Sequence, residues 1–164
     1  MRCLPIALLV AAIACGNDST DPRPVDGGAY DLTSTSDGPP PVMINRLTDP
    51  ANGNTRTDSL IADRITFVRG TGQVLRDLTS SQTLGTPGSP AQTFSGTIRN
   101  YGDWLQSRDK VVISWHLGYP GMQSTVVDTL RLVHGELHGR IVRQVCADCA
   151  PGTPLDLVYV RGAS

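Results

Sequence analysis

The sequence predicts an all-β fold, an antiparallel meander closing as an eight- to nine-stranded up-and-down barrel. Three observations carry that expectation. Glycine and proline are plentiful, 17 and 12 among 164 residues, and charged residues make up only 18% of the chain, a balance that suits short strands and turns better than long solvated helices. Apolar residues also alternate with polar ones, at the period of a strand, in segment after segment. A chain of this length can bury roughly 70% of its unfolded surface, so one core suffices.

The strands follow in order. Tyr30 and Leu32 alternate with Asp31 and Thr33, and this first strand stops at Asp37-Gly38-Pro39-Pro40-Pro41, where prolines remove ladder donors and fix the backbone. Val42, Ile44 and Leu47 form a short second strand, ended by Asp49-Pro50 and Asn52-Gly53. Ser59 to Arg69 is enriched in β-branched and aromatic residues towards its end and is cut by Gly70-Thr71-Gly72, a hairpin into Val74 to Thr79. The next stretch, SSQTLGTPGSPAQ over 80–92, lacks apolar periodicity and reads as a long surface loop, a candidate rim or lid.

Phe94, Gly96 and Ile98 then alternate with Ser95, Thr97 and Arg99 in a strand ending at Asn100-Tyr101-Gly102-Asp103, after which Trp104-Leu105 re-enters the core. Lys110 to Leu117, KVVISWHL, is the strongest strand, with Val111, Ile113 and Trp115 opposite in face to Val112, Ser114 and His116. Gly118-Tyr119-Pro120-Gly121 closes it. Ser124–Val133 and Glu136–Val145 flank His134-Gly135 as a hairpin, with Val126, Leu130 and Leu132 on one arm and Leu137, Ile141 and Val145 on the other. Leu155 to Arg161 ends the domain, with Leu155, Leu157 and Tyr159 on one face and Val158 and Val160 on the other.

Charge narrows the partners. The chain has 14 basic and 15 acidic residues and no block of either sign, so a nucleic-acid partner is not expected. After the first fifteen residues no apolar run approaches the roughly 20 that cross a bilayer as a helix.

The N-terminus carries an address. Met1 and Arg2 form a positive start, Leu4 to Ile13 an apolar core, and Ala12-Ile13-Ala14 small or aliphatic positions before Cys15. The segment ACGNDSTDP resembles the lipobox of bacterial lipoproteins. That resemblance implies removal of residues 1–14 and lipidation of the Cys15 thiol; cleavage elsewhere by an ordinary signal peptidase is the competing expectation. Residues 15–27 then read as the lipidated cysteine and a flexible polar tether, since Pro22 and Pro24 cannot continue a helix, and residues 28–164 as the barrel domain. Several acyl chains on one cysteine imply a lasting membrane anchor. Gly16, with no Asp after the cysteine, implies the outer membrane facing the periplasm.

A second resemblance concerns the fold. The opening GGAYDLTSTSDGPPP and the ending LVYVR are similar to the first and last strands of lipocalin-like (calycin-type) small bacterial lipoproteins. In those a Gly-x-Tyr-x-Leu strand starts the barrel, a Gly-Pro corner follows and a tyrosine-bearing strand closes it. The likeness implies the fold and carries no catalytic residue to this chain.

Cys146-Ala147-Asp148-Cys149 supports three readings: disulfide, redox motif and half of a metal site. A thioredoxin-like pair needs a helix N-terminus and haem attachment needs His after the second cysteine, where Ala150 stands. In an exported protein a loop disulfide is favoured, stabilising by about 1–2 kcal/mol because its loop is short. His134 and His138 would complete four zinc ligands with the cysteines, but a strand of about eight residues, roughly 25 Å, separates the two ends, too far for one tetrahedral centre. HGELH is not the helical HExxH of metalloproteases, and no serine sits in a GxSxG elbow.

Trp104, Trp115, Tyr101 and Tyr119 are candidate cavity-lining aromatics whose ordinary role is core. The expected protein is thus a monomeric, cofactor-free, non-enzymatic lipoprotein. Two functions compete: binding a small apolar or amphipathic ligand at the barrel mouth or open sheet face, or acting as a structural or protein-interaction module of the envelope. An eight-stranded barrel can hold one small ligand or be filled by its own side chains.

Overall fold

The computed structural model describes residues 24–119, 122–142, 152 and 154–162. The leader, Cys15, most of the tether and the Cys146/Cys149 pair lie outside the described residues. Within them the chain is all-β, with strands β1 (Ala29–Thr35), β2 (Val42–Thr48), β3 (Thr55–Phe67), β4 (Gln73–Gly85), β5 (Gln92–Ser107), β6 (Lys110–Tyr119), β7 (Met122–Val133), β8 (Glu136–Val142) and β9 (Pro154–Arg161). Every pairing is antiparallel, in the order β1-β9-β8-β7-β6-β5-β4-β3-β2, and an additional β1–β3 pairing closes eight of the strands into a barrel with β2 as the extra one.

Closure works because β3 is long enough to take two partners end to end. Ala29 to Asp31 of β1 pair with Thr66 to Arg64, while β2 runs on along the same edge from Val42↔Leu60 to Thr48↔Thr55. Between them β1 turns away to follow β9, from Leu32↔Tyr159 to Thr35↔Leu157. The Asp37–Pro41 corner covers the parting, with the Thr35 hydroxyl donating to the Gly38 carbonyl at 2.8 Å.

The inward register matches the alternation. Val111, Ile113 and Trp115 of β6 are buried, as are Leu155, Leu157 and Tyr159 of β9, Leu130 and Leu132 of β7, and Tyr30 and Leu32 of β1. Both turn residues joining β7 and β8 have positive φ, His134 at 51° and Gly135 at 87°, the backbone of the two-residue turns that suit strand twist.

Three boundaries differ from the expectation. The segment 80–92 is not a long loop: Ser80 to Gly85 pair with Leu60 to Thr55 on one side, and Ser80 to Leu84 with Gly96 to Gln92 on the other. Backbone ladders form whatever the side chains, and this stretch buries neither face, so it carries no alternation. Hydroxyl pairs stand in for apolar contact, Thr79 with Thr97 at 2.8 Å and Thr83 with Thr93 at 3.0 Å. Secondly, β5 runs through to Ser107 without a break; Trp104 packs on the core, but Leu105 points out and is 78% exposed. Thirdly, the domain begins before Gly28. Val25 is fully buried in the core, its N–H donates to Gln106 Oε1 at 3.0 Å, and Asp26 Oδ1 accepts the Gly70 N–H at 2.9 Å.

Candidate functional site

The lumen is where a ligand would sit, and among the described residues an aromatic layer and a charged network project into it within a continuous buried core. At the end capped by Val25, Tyr30 meets Phe67 edge-on at 5.8 Å between centroids, and Phe67 meets Trp104 at 5.2 Å. Val74, Val111 and Leu137 complete this layer. Gly102 faces inward because nothing larger fits: an added Cβ would lie 2.6 Å from the Ser114 carbonyl oxygen and 3.0 Å from the Trp115 ring.

Above the aromatic layer lies a charged network drawn from five strands. The Asp63 side chain on β3 is fully buried. Arg76 on β4 grips it with two bonds, Nε to Oδ1 at 2.9 Å and Nη2 to Oδ2 at 2.6 Å, and the Tyr159 hydroxyl on β9 donates to Oδ2 at 2.7 Å. On the far side Arg76 Nη1 lies 3.5 Å from Asp128 Oδ2 on β7, a carboxylate 40% exposed. Trp115 Nε1 on β6 donates to that same oxygen at 2.7 Å, and the guanidinium lies over the Trp115 ring at 5.8 Å.

The electrostatics follow from burial and pairing. Burial opposes the Arg76 charge, but the hydrogen bonds and attraction of Asp63 outweigh it and hold its pKa above the ordinary value. Burial, reinforced by the Asp63 charge, pushes the Tyr159 hydroxyl well above its ordinary value. The phenol therefore stays a donor, which Asp63 requires. Breaking one partner of such a pair strands a charge in low dielectric, so the network acts as a lock on the arrangement of five strands.

Among the described residues the cavity beside Arg76, Asp128 and Tyr159 holds about 30 Å³, enough for a water but far below the roughly 300–1,000 Å³ of small-molecule sites. A larger hollow of about 420 Å³ lies between Thr129, Arg131, His138 and Arg140, where the β7–β8 ladder stops at Arg131↔His138. Its cations are already partnered: Arg140 Nε donates to Asp156 at 2.6 Å, and Arg131 lies 3.9 Å from Asp109.

The residues singled out by sequence scatter. His134 sits in the β7–β8 turn and His138 on β8, 3.4 Å from Glu136, while their proposed partners Cys146 and Cys149 lie outside the described residues. Among the described residues no three His, Cys, Asp or Glu side chains are grouped to hold a metal. Trp115 and Trp104 belong to the core, whereas Tyr101 is on the outer face. Asp63, Arg76 and Asp128 escaped the sequence reading although each carries a signal: a lone charge in an apolar stripe, as in Asp63-x-Ile65-x-Phe67, Val74-x-Arg76-x-Leu78 and Val126-x-Asp128-x-Leu130.

Beyond the network the sheet continues. The far halves of β3, β4 and β5, with β2, form an extension in which β5 pairs with β6 only from Tyr101 to Ser107. The unbroken β4–β5 register keeps Phe94 and Ile98 on the face of Gly102 and Trp104, yet they are 56% and 58% exposed. Compared with family models, curated proteins and solved structures, the chain matches none.

Proposed function

We propose that this is an exported, lipid-anchored protein of the cell envelope whose barrel is a filled scaffold for protein interaction. The observation that carries this is the lumen among the described residues: the Tyr30–Phe67–Trp104 layer and the Asp63–Arg76–Tyr159 network project into the space an apolar ligand would need. An acyl chain threaded there would also desolvate the network without replacing a single hydrogen bond. Of the two functions open from sequence, the interaction module is the better supported, and the exposed apolar residues of the extension give it a surface. The address rests on the leader and on Cys15.

Native mass spectrometry of the full chain extracted from the envelope of its host tests the reading. The expected spectrum shows the protein with its own lipid and no further apolar adduct; a co-purifying adduct that survives gentle activation would make the protein a carrier. Labelling with a fatty-acid analogue tests the anchor, with incorporation expected in the native chain and lost in Cys15→Ala.

A further inference from the structure

We infer that the free edge of β5 is a self-pairing interface, through which two copies of this chain join antiparallel strands about a two-fold axis at Gly96. The inference rests on reading the barrel as an interaction scaffold and names the partner as a second copy, in place of the expected monomer.

The first observation is an unprotected edge. From Gln92 to Asn100, β5 pairs with β4 on one side and, among the described residues, with no strand on the other. Alternate N–H and C=O groups along that edge have no ladder partner, a template roughly 30 Å long at about 3.4 Å per residue. Proteins blunt such edges with lysine, proline, inward charges, bulges or short length. The run QTFSGTIRN has no lysine, no proline and no acid, and its register with β4 is unbroken. Its one charge, Arg99, is tied back to Asp77 by bonds of 2.6 and 2.8 Å. The outer edge of β2 shows the contrast, because it is short, bulged between Met43 and Asn45, carries Arg46 and is flanked by Pro41 and Pro50.

The second observation is that the run is complementary to itself. An antiparallel pairing centred on Gly96 sets Phe94 opposite Ile98 of the second copy, Ser95 opposite Thr97, Thr93 opposite Arg99 and Gln92 opposite Asn100. The two exposed apolar residues therefore cover one another twice, as aromatic and β-branched cross-strand pairs, and hydroxyls meet hydroxyls on the other face. No like charges face each other, and a Cβ at Gly96 would meet nothing within 4 Å on the face of the sheet. An interface of this kind is isologous and closes at two copies.

Sedimentation equilibrium of the full chain in density-matched detergent tests this. A dimer is expected for the native chain. Ser95→Lys/Thr97→Lys places lysine opposite lysine twice and is expected to raise the dissociation constant by at least about tenfold. Ser95→Glu/Thr97→Lys places opposite charges at the same contacts and is expected to restore the dimer. All three sequences should give the same far-ultraviolet circular dichroism, since both positions are exposed. A native chain that stays monomeric, or a dimer indifferent to the double lysine, overturns the inference. A monomer of bare mass leaves the scaffold reading standing, whereas a monomer carrying an apolar adduct removes both.

Discussion

The closed half of the barrel and the extended half of its sheet share β3, β4 and β5, yet differ in what holds their side chains. Near Phe67, Val74, Ile113 and Tyr159 every inward residue meets others across the lumen. Along Gln92 to Ile98 the ladder is as regular, but both faces look outward. Hydrogen bonding alone can extend a strand, whereas burial supplies most of its stability. The closed half should therefore carry the free energy of folding, and the extension should be free to serve a partner.

Urea unfolding of variants in the two halves tests that division. The largest effect is expected for Asp63→Ala, which leaves Arg76 buried beside an empty site and should cost about 3–5 kcal/mol. Phe67→Ala should cost about 3–4 kcal/mol by removing the ring between Tyr30 and Trp104. Tyr159→Phe keeps the volume and removes one donor from Asp63, for a loss of about 1–2 kcal/mol. Phe94→Ala, the same chemical change as Phe67→Ala made on the extension, should fall within about 0.5 kcal/mol of the native monomer. A large loss there would mean that the extension is a second core.

Alkaline pH sharpens the comparison, because the raised tyrosines belong to the closed half. An unfolded tyrosine releases its proton near 10.0, whereas burial and Asp63 keep Tyr159 protonated to higher pH. Burial raises Tyr30 too, against an opposing pull from Arg161. Above the unfolded value the folded state holds more protons, so stability is intact below about pH 10 and falls as pH rises beyond it, by at most about 1.4 kcal/mol per pH unit for each tyrosine. Tyr159→Phe should make that decline shallower.

Alternation is a local property, and wherever one strand face was buried it could be read directly. KVVISWHL and LDLVYVR place their buried residues as their spacing predicts, and His134-Gly135 turns where a turn was expected. The polar extension of β4 was illegible for the complementary reason: a strand that buries nothing need leave no periodic mark. The register shift between Leu60 and Ala62 brings Leu60 to the same interior as Asp63, Ile65 and Phe67 although its parity in the sequence is opposite.

By itself the sequence determined the all-β class, the strands of the core and their inward registers, because these depend on side chains a few residues apart. Tertiary structure alone decided that β1 and β2 share the edge of β3 and so close the barrel. It alone joined Tyr159 to Asp63 across 96 positions, and left Gln92 to Asn100 of β5 with one ladder partner among the described residues. Those outcomes depend on which ladder meets which, and backbone groups that are chemically alike in every strand cannot announce their partners in advance.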